Sequence, residues 1–203
     1  MKLRVIVPPH PLIGHWLSML RDISTPPVLY GKAFEEIGKW LTYECIRDWL
    51  PRREEIITTS NGEAKGTVVE SSVKLMALIN LPGGLELWNG AKEVLPNASL
   101  FIGGVPSTVP TNAGIIIFWD QITNGFELLE TLESIKARCV ETKRIRVITS
   151  LASAPGLKNI GESLPDLTIY AACIDPEIST EKEIKPGIGN PLNRLNTITV
   201  DSN

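Results

Sequence analysis

The run Ile115-Ile116-Ile117-Phe118-Trp119, halted by Asp120, constrains this chain more than any other feature. Large apolar side chains in unbroken succession leave a strand no wet face, so both of its sides must be covered. That favours a central strand of a parallel sheet between two helical layers. The neighbouring segments agree. Helical spacing of apolar residues runs from Leu12 to Leu20, then through Phe34, Ile37, Trp40, Leu41, Cys45, Ile46 and Trp49, with Pro51 as the stop. Further helices are predicted through Leu85–Val94, Phe126–Ile135 and Gly156–Ser163, and strands at 74–80, 100–104, 146–151 and 167–174. Ile56-Ile57-Thr58, Asn61-Gly62 and 64–69 read as a hairpin. Residues 1–13, with Val5, Ile6 and Val7 before Pro8-Pro9-His10-Pro11, read as an extended arm. The fold class is α/β, a mainly parallel sheet flanked by helices, with an N-terminal helical arm.

At 203 residues the chain suits one domain, 1–203, in which the polar stretch 197–203 is expected to fray. Twenty Lys and Arg against 23 Asp and Glu give a net charge of −3, so no overall basic field draws the chain to nucleic acid. No apolar run is long enough to span a membrane, and the prolines cut the first apolar patch too short for a signal peptide. Three scattered cysteines, Cys45, Cys139 and Cys173, argue for reduced thiols and a cytoplasmic or equivalent aqueous compartment.

Most catalytic chemistries find no residues here. His10 and His15 lie five apart across a proline-rich entry, which does not stack them as a metal pair, and no metal site is expected. A nucleophile elbow of the G-x-S-x-G kind is absent. The tryptophans at 16, 40 and 49 keep apolar company at helical spacing and read as core or interface. One stretch is informative. Trp119 to Glu127 is a buried strand ending in an acid, then a turn with Thr123, Asn124 and Gly125 into a helix, which is how an α/β protein offers backbone N–H groups to a phosphate. An ordinary turn capped by Thr123 or Asn124 fits the same residues.

Several segments, in order along nearly the whole chain, resemble the uracil phosphoribosyltransferase family, of the type I phosphoribosyltransferase fold. They include His10-Pro11-Leu12-Ile13, Met19-Leu20-Arg21-Asp22, Tyr43-Glu44, Arg47-Asp48, Leu95-Pro96-Asn97-Ala98, Ala154-Pro155, Ile169 to Asp175 and Pro186-Gly187-Ile188-Gly189. The resemblance implies a dimer that makes UMP and diphosphate from uracil and phosphoribosyl pyrophosphate (PRPP), with Mg2+ on the diphosphate. It assigns Asp120, Thr123, Asn124 and Gly125 to a remnant PRPP loop, and Ile184, Gly189, Asn190 and Pro191 to a remnant uracil loop.

The departures from the family pattern fall on ligand contacts. Asn80-Leu81-Pro82-Gly83-Gly84 aligns with a strand of type Ile-Leu-Arg-Ala-Gly, so Pro82 replaces an arginine. The family's Tyr-Arg-Asp hood is shortened to 104–110, with no cation. In the PRPP loop Asn124 stands for the first glycine and Phe126 for the serine, and Glu127 puts a carboxylate where a phosphate would lie. In the uracil loop, which reads a base largely through backbone groups, Asn190 replaces an aspartate while Arg194 remains.

The leading expectation is therefore a homologue that has lost PRPP-dependent catalysis, needs no cofactor, and serves as a homodimeric binding, regulatory or structural protein. Residues 1–50 would form the dimer or partner surface. The alternative is an active divergent uracil phosphoribosyltransferase using Mg2+ with PRPP and drawing on Lys92, Lys185 and Arg194. A third reading is a subunit of a larger assembly.

Overall fold

Prolines open three of the helices. In the computed structural model, which describes residues 3–95 and 97–196, α1 (Pro11–Arg21) has Pro11 in its first turn, where a missing N–H costs nothing, and His10 Nδ1 accepts the Leu12 N–H at 3.2 Å. His10 is thus a helix cap, stacked on Trp40 with ring centroids 5.8 Å apart. The next helix, α2 (Pro27–Ile46), starts at Pro27 rather than near Phe34, because the Pro26-Pro27 pair that reads as a breaker also pre-sets a helical start.

The remaining elements follow in order: β1 (Arg4–Ile6) ahead of α1, then β2 (Arg52–Thr59), β3 (Gly62–Val69), β4 (Leu75–Ile79), α3 (Gly83–Ala91), β5 (Ala98–Ile102) and β6 (Gly114–Ile122). After β6 come α4 (Phe126–Lys136), β7 (Ile145–Ser153), α5 (Ala154–Ser163), β8 (Thr168–Ala171), β9 (Ile174–Asp175), β10 (Glu177–Ile178), β11 (Ile184–Lys185) and α6 (Pro191–Leu195). Among the described residues the main sheet runs β1-β8-β7-β6-β4-β5, with β9 beside β7, and its pairings are parallel. This is the α/β architecture that the apolar runs imply.

Alternation along β6 divides the core. Ile116 and Phe118 join Tyr30, Phe34, Ile37 and Leu41 on the side of α1, α2 and α3, while Ile115 and Ile117 join Leu132, Ile135 and Ile160 on the side of α4 and α5. Two expectations need correction. The segment read as a free arm is tied into the sheet, with Val5 opposite Ile169 on the edge strand, because its prolines begin only after the paired residues. And Asp120 does not stop β6; the strand continues to Ile122, with the Asp120 side chain turned inward and 8% exposed.

The β2–β3 hairpin forms as expected, though its turn falls on Ser60-Asn61, since Thr59 pairs with Gly62. It stands outside the main sheet. Helix α3 closes at Ala91, short of Val94.

Candidate functional site

The carboxyl ends of parallel strands, where α/β sheets bind ligands, carry both of the stretches singled out from the sequence. After β6 the chain turns through Thr123-Asn124-Gly125 into α4. Gly125 has φ +80°, and a Cβ there would lie 2.9 Å from the Gly156 carbonyl oxygen, so glycine is required on two counts. It is Gly125, not Thr123 or Asn124, that occupies the cap position; Asn124 Oδ1 accepts the N–H of Phe126 at 3.1 Å from one place earlier. The turn is clamped to α5: Ser153 Oγ donates to the Thr123 carbonyl, and Asn159 Nδ2 donates to the Asn124 carbonyl at 3.0 Å.

Asp120 does not face this turn. Its side chain lies against Gly83, where a Cβ would come within 2.6 Å of the Asp120 Cβ, and Oδ1 accepts the Gln121 N–H at 2.7 Å. Burial pushes its carboxyl up to about 6; the Gln121 and Gly83 N–H groups pull the other way, and the Glu127 charge adds to the rise. The hollow beside the turn, ≈ 160 Å³, is lined by Trp119, Gln121, Thr123, Asn124, Gly125, Glu127 and Lys182 among others. A second hollow between β4 and β6, ≈ 250 Å³, has Asn80, Gly103, Gly104 and Trp119 on its walls and no charged side chain. Beyond Gly104, which lines the second hollow, Val105 and Val109 pack on the α4 side of the core, and Arg138 Nε holds the Pro106 carbonyl at 2.7 Å.

The loop at 184–190 keeps its backbone shape but spends its side chains on structure. Ile184 is buried on β11, paired with Ile178. Gly187 and Gly189 take φ +70° and +74°. Asn190 caps α6, with Oδ1 accepting from Leu192 N at 2.9 Å, and Pro191 is buried in the first turn of that helix. Arg194 is no free cation. Its guanidinium donates to the carbonyls of Leu20, Asp22 (2.6 Å) and Ile188 (3.0 Å) and lies 4.1 Å from the Tyr30 ring centroid.

The family model described as uracil phosphoribosyltransferase matches residues 7–197. The chain belongs to this family. Among curated relatives, the uracil phosphoribosyltransferase of Synechococcus elongatus is 34% identical over 96% of this chain and 97% of its own length. That of Nostoc sp. is 31% identical over the same shares. Among solved structures, the AQ2163 protein of Aquifex aeolicus superposes with a TM-score of 0.84 at 24% identity, covering 97% of this chain and 99% of its own. Orotate phosphoribosyltransferase of Mycobacterium tuberculosis, solved with PRPP, gives 0.50 at 15% identity over 81% of this chain and 90% of its own, a likeness of fold.

The structure also brings together residues that the sequence does not pair. Arg21, on α1, grips Asp175 with both terminal nitrogens, at 2.9 and 2.6 Å, and donates to the Gly187 carbonyl at 3.0 Å. Gly187 N–H closes the ring on Asp175 at 2.9 Å. Burial pushes the Asp175 carboxyl up, but the Arg21 hydrogen bond, the Gly187 N–H and the Arg21 charge together outweigh it and hold the group below the usual carboxylate value. Both residues sit in quoted family segments; only their 154-residue separation hid the pair. Lys182, a cation on the hollow beside the β6–α4 turn, had no sequence signal.

The donors present do not fit a protein-held Mg2+. Asp120 is turned inward onto backbone N–H groups, Glu127 is the carboxylate on the hollow beside the β6–α4 turn, and among the described residues no three His, Cys, Asp or Glu side chains converge. No described helix is long and apolar enough to cross a membrane.

Asp120 carries a prediction of its own. Its folded value, about 6, lies above the ordinary carboxylate value of 3.8, so between those limits the native state holds the extra proton and stability falls as pH rises. Asp120→Asn is expected to match the wild type near pH 4 and to be more stable by about 1 to 3 kcal/mol above pH 7. Denaturant melts of both proteins across that range check it, and a pH-independent difference contradicts it.

Proposed function

We propose that this member of the uracil phosphoribosyltransferase family does not turn over PRPP and acts instead as a dimeric binding or regulatory protein. The observation that carries this reading is how little positive charge the two loops present to a ligand: Lys182 beside the first and the exposed Lys185 at the start of the second. Lys182 is the one cation on the hollow beside the PRPP turn, and it shares that wall with Glu127. Arg21 and Arg194 are consumed by Asp175 and by backbone carbonyls. Proline occupies position 82, and 104–110 contains no basic residue. Transfer of a phosphoribosyl group from a diphosphate relies on stabilising the departing charge, and one such donor is worth about 3 kcal/mol, or roughly a hundredfold in rate.

A homodimer is part of the same proposal. Support comes from the β2–β3 ribbon, which leaves Ile56 59% and Ile57 42% exposed, and from the apolar groove lined by Val28, Leu29, Leu81 and Leu192. Mass determination in solution tests this part, and a monomer at micromolar concentration contradicts it.

The competing reading, an active divergent enzyme, draws on the intact backbone turn: Gly125 at φ +80° opening α4, beside Thr123 and Lys182. Incubation with labelled uracil, PRPP and Mg2+ separates the two. Loss of two charge contacts predicts UMP formation about four orders of magnitude below that of an active relative. A rate within tenfold of such a relative would establish the enzyme.

A further inference from the structure

The loop at 187–189 has three carbonyls, and two of them are spoken for. Gly187 O accepts from Arg21 Nη1 at 3.0 Å; Ile188 O accepts from Tyr30 Oη at 3.1 Å and from Arg194 Nη1 at 3.0 Å. The Gly187 N–H is taken by Asp175. Gly189 O is the carbonyl that remains for a ligand, and Gln121 reaches across from β6 to it, Nε2 to oxygen 3.4 Å. Gln121 is half-buried, lines the hollow beside the PRPP turn, and makes no other side-chain hydrogen bond among the described residues. It therefore connects the two loops across the space between them.

A carboxamide sets an N–H donor beside a C=O acceptor. The imide edge of a pyrimidine base such as uracil offers the same pair, and a backbone carbonyl that accepts from one accepts equally from the other. We propose that Gln121 is an internal mimic of the base: its amide occupies the acceptor that a pyrimidine imide N–H would use, so that a base competes with it for that oxygen and the space in front of it. This rests on the family reading of 184–190 as the base loop, and it holds whether or not PRPP is turned over. At 3.4 Å the bond is a long one, and the side chain is free to swing, so the plug is a weak competitor rather than a seal.

The test is uracil binding without PRPP, measured by calorimetry on the wild type, Gln121→Ala and Gln121→Leu, with N3-methyluracil as the second ligand. Both variants lack the amide, and both change a half-buried residue outside the core, so equal melting temperatures are expected. Losing one hydrogen bond as competitor predicts uracil binding about 3- to 10-fold tighter in each variant. N3-methyluracil, which has no imide N–H, should gain nothing. Unchanged uracil affinity, no binding by any of the three proteins, or an equal gain for the methylated base would each overturn the proposal. The outcome is independent of the turnover assay: UMP formation at enzyme-like rates would remove the pseudoenzyme reading and leave the plug standing.

Discussion

Gly90→Ala is expected to destabilise the protein by about 2 to 4 kcal/mol, although alanine is the better helix former by about 1 kcal/mol. Gly90 lies inside α3, where α3 crosses α2, and a Cβ there would sit 1.7 Å from the Glu35 carbonyl oxygen. The same crossing brings Gly38 of α2 so close that its Cβ would lie 2.0 Å from Leu87 O. Both obstacles are backbone, so no rotamer change relieves them, and α2 would have to shift, pulling its own fully buried Tyr30, Phe34 and Ile37 out of their packing. Denaturant unfolding checks this. A variant as stable as the wild type would show that the helices separate at little cost.

The second large effect is expected at Arg21→Ala. The variant strands the Asp175 carboxylate, 4% exposed, with a single backbone N–H from Gly187 as its principal partner. Removing one member of such a pair costs about 2 to 4 kcal/mol. Because the native Asp175 value is depressed below 3.8, its contribution is present above that pH and is lost as pH falls through the folded value. The difference between wild type and variant should therefore be full at pH 6 and shrink below pH 4. Arg21→Lys should recover part of it, since one ammonium cannot span both carboxylate oxygens and the Gly187 carbonyl. A pH-independent loss would mean that Arg21 acts by packing alone.

The fold was legible because its signal is local. Ile115 to Phe118 alternate between two cores, and nothing but a strand covered on both faces accommodates them. Asp120 shows where local reading fails. An acid after an apolar run reads as a stop, but a tertiary neighbour, Gly83 of α3, supplies backbone in place of water and the strand runs on. The site loops were legible as positions through the family pattern, with Gly125, Gly187 and Gly189 in the conformations their turns need. What their side chains do was not. Arg194 reads as a cation retained from the family loop and proves to be a fastener of three carbonyls, and Asn190 and Pro191 build α6. The Arg194 role depends on carbonyls at the end of α1, far away in the chain, which spacing does not report.

PRPP affinity reports on the scarcity of free positive charge at the two loops before any chemistry. A ligand as anionic as PRPP meets Lys182, Lys185, Glu127 and backbone N–H groups there, while the nearby arginines are engaged elsewhere. Calorimetric titration of PRPP with Mg2+ into the purified protein is the direct measurement. No heat of binding up to millimolar PRPP is the expected result, and micromolar, salt-dependent binding is the result that would contradict it.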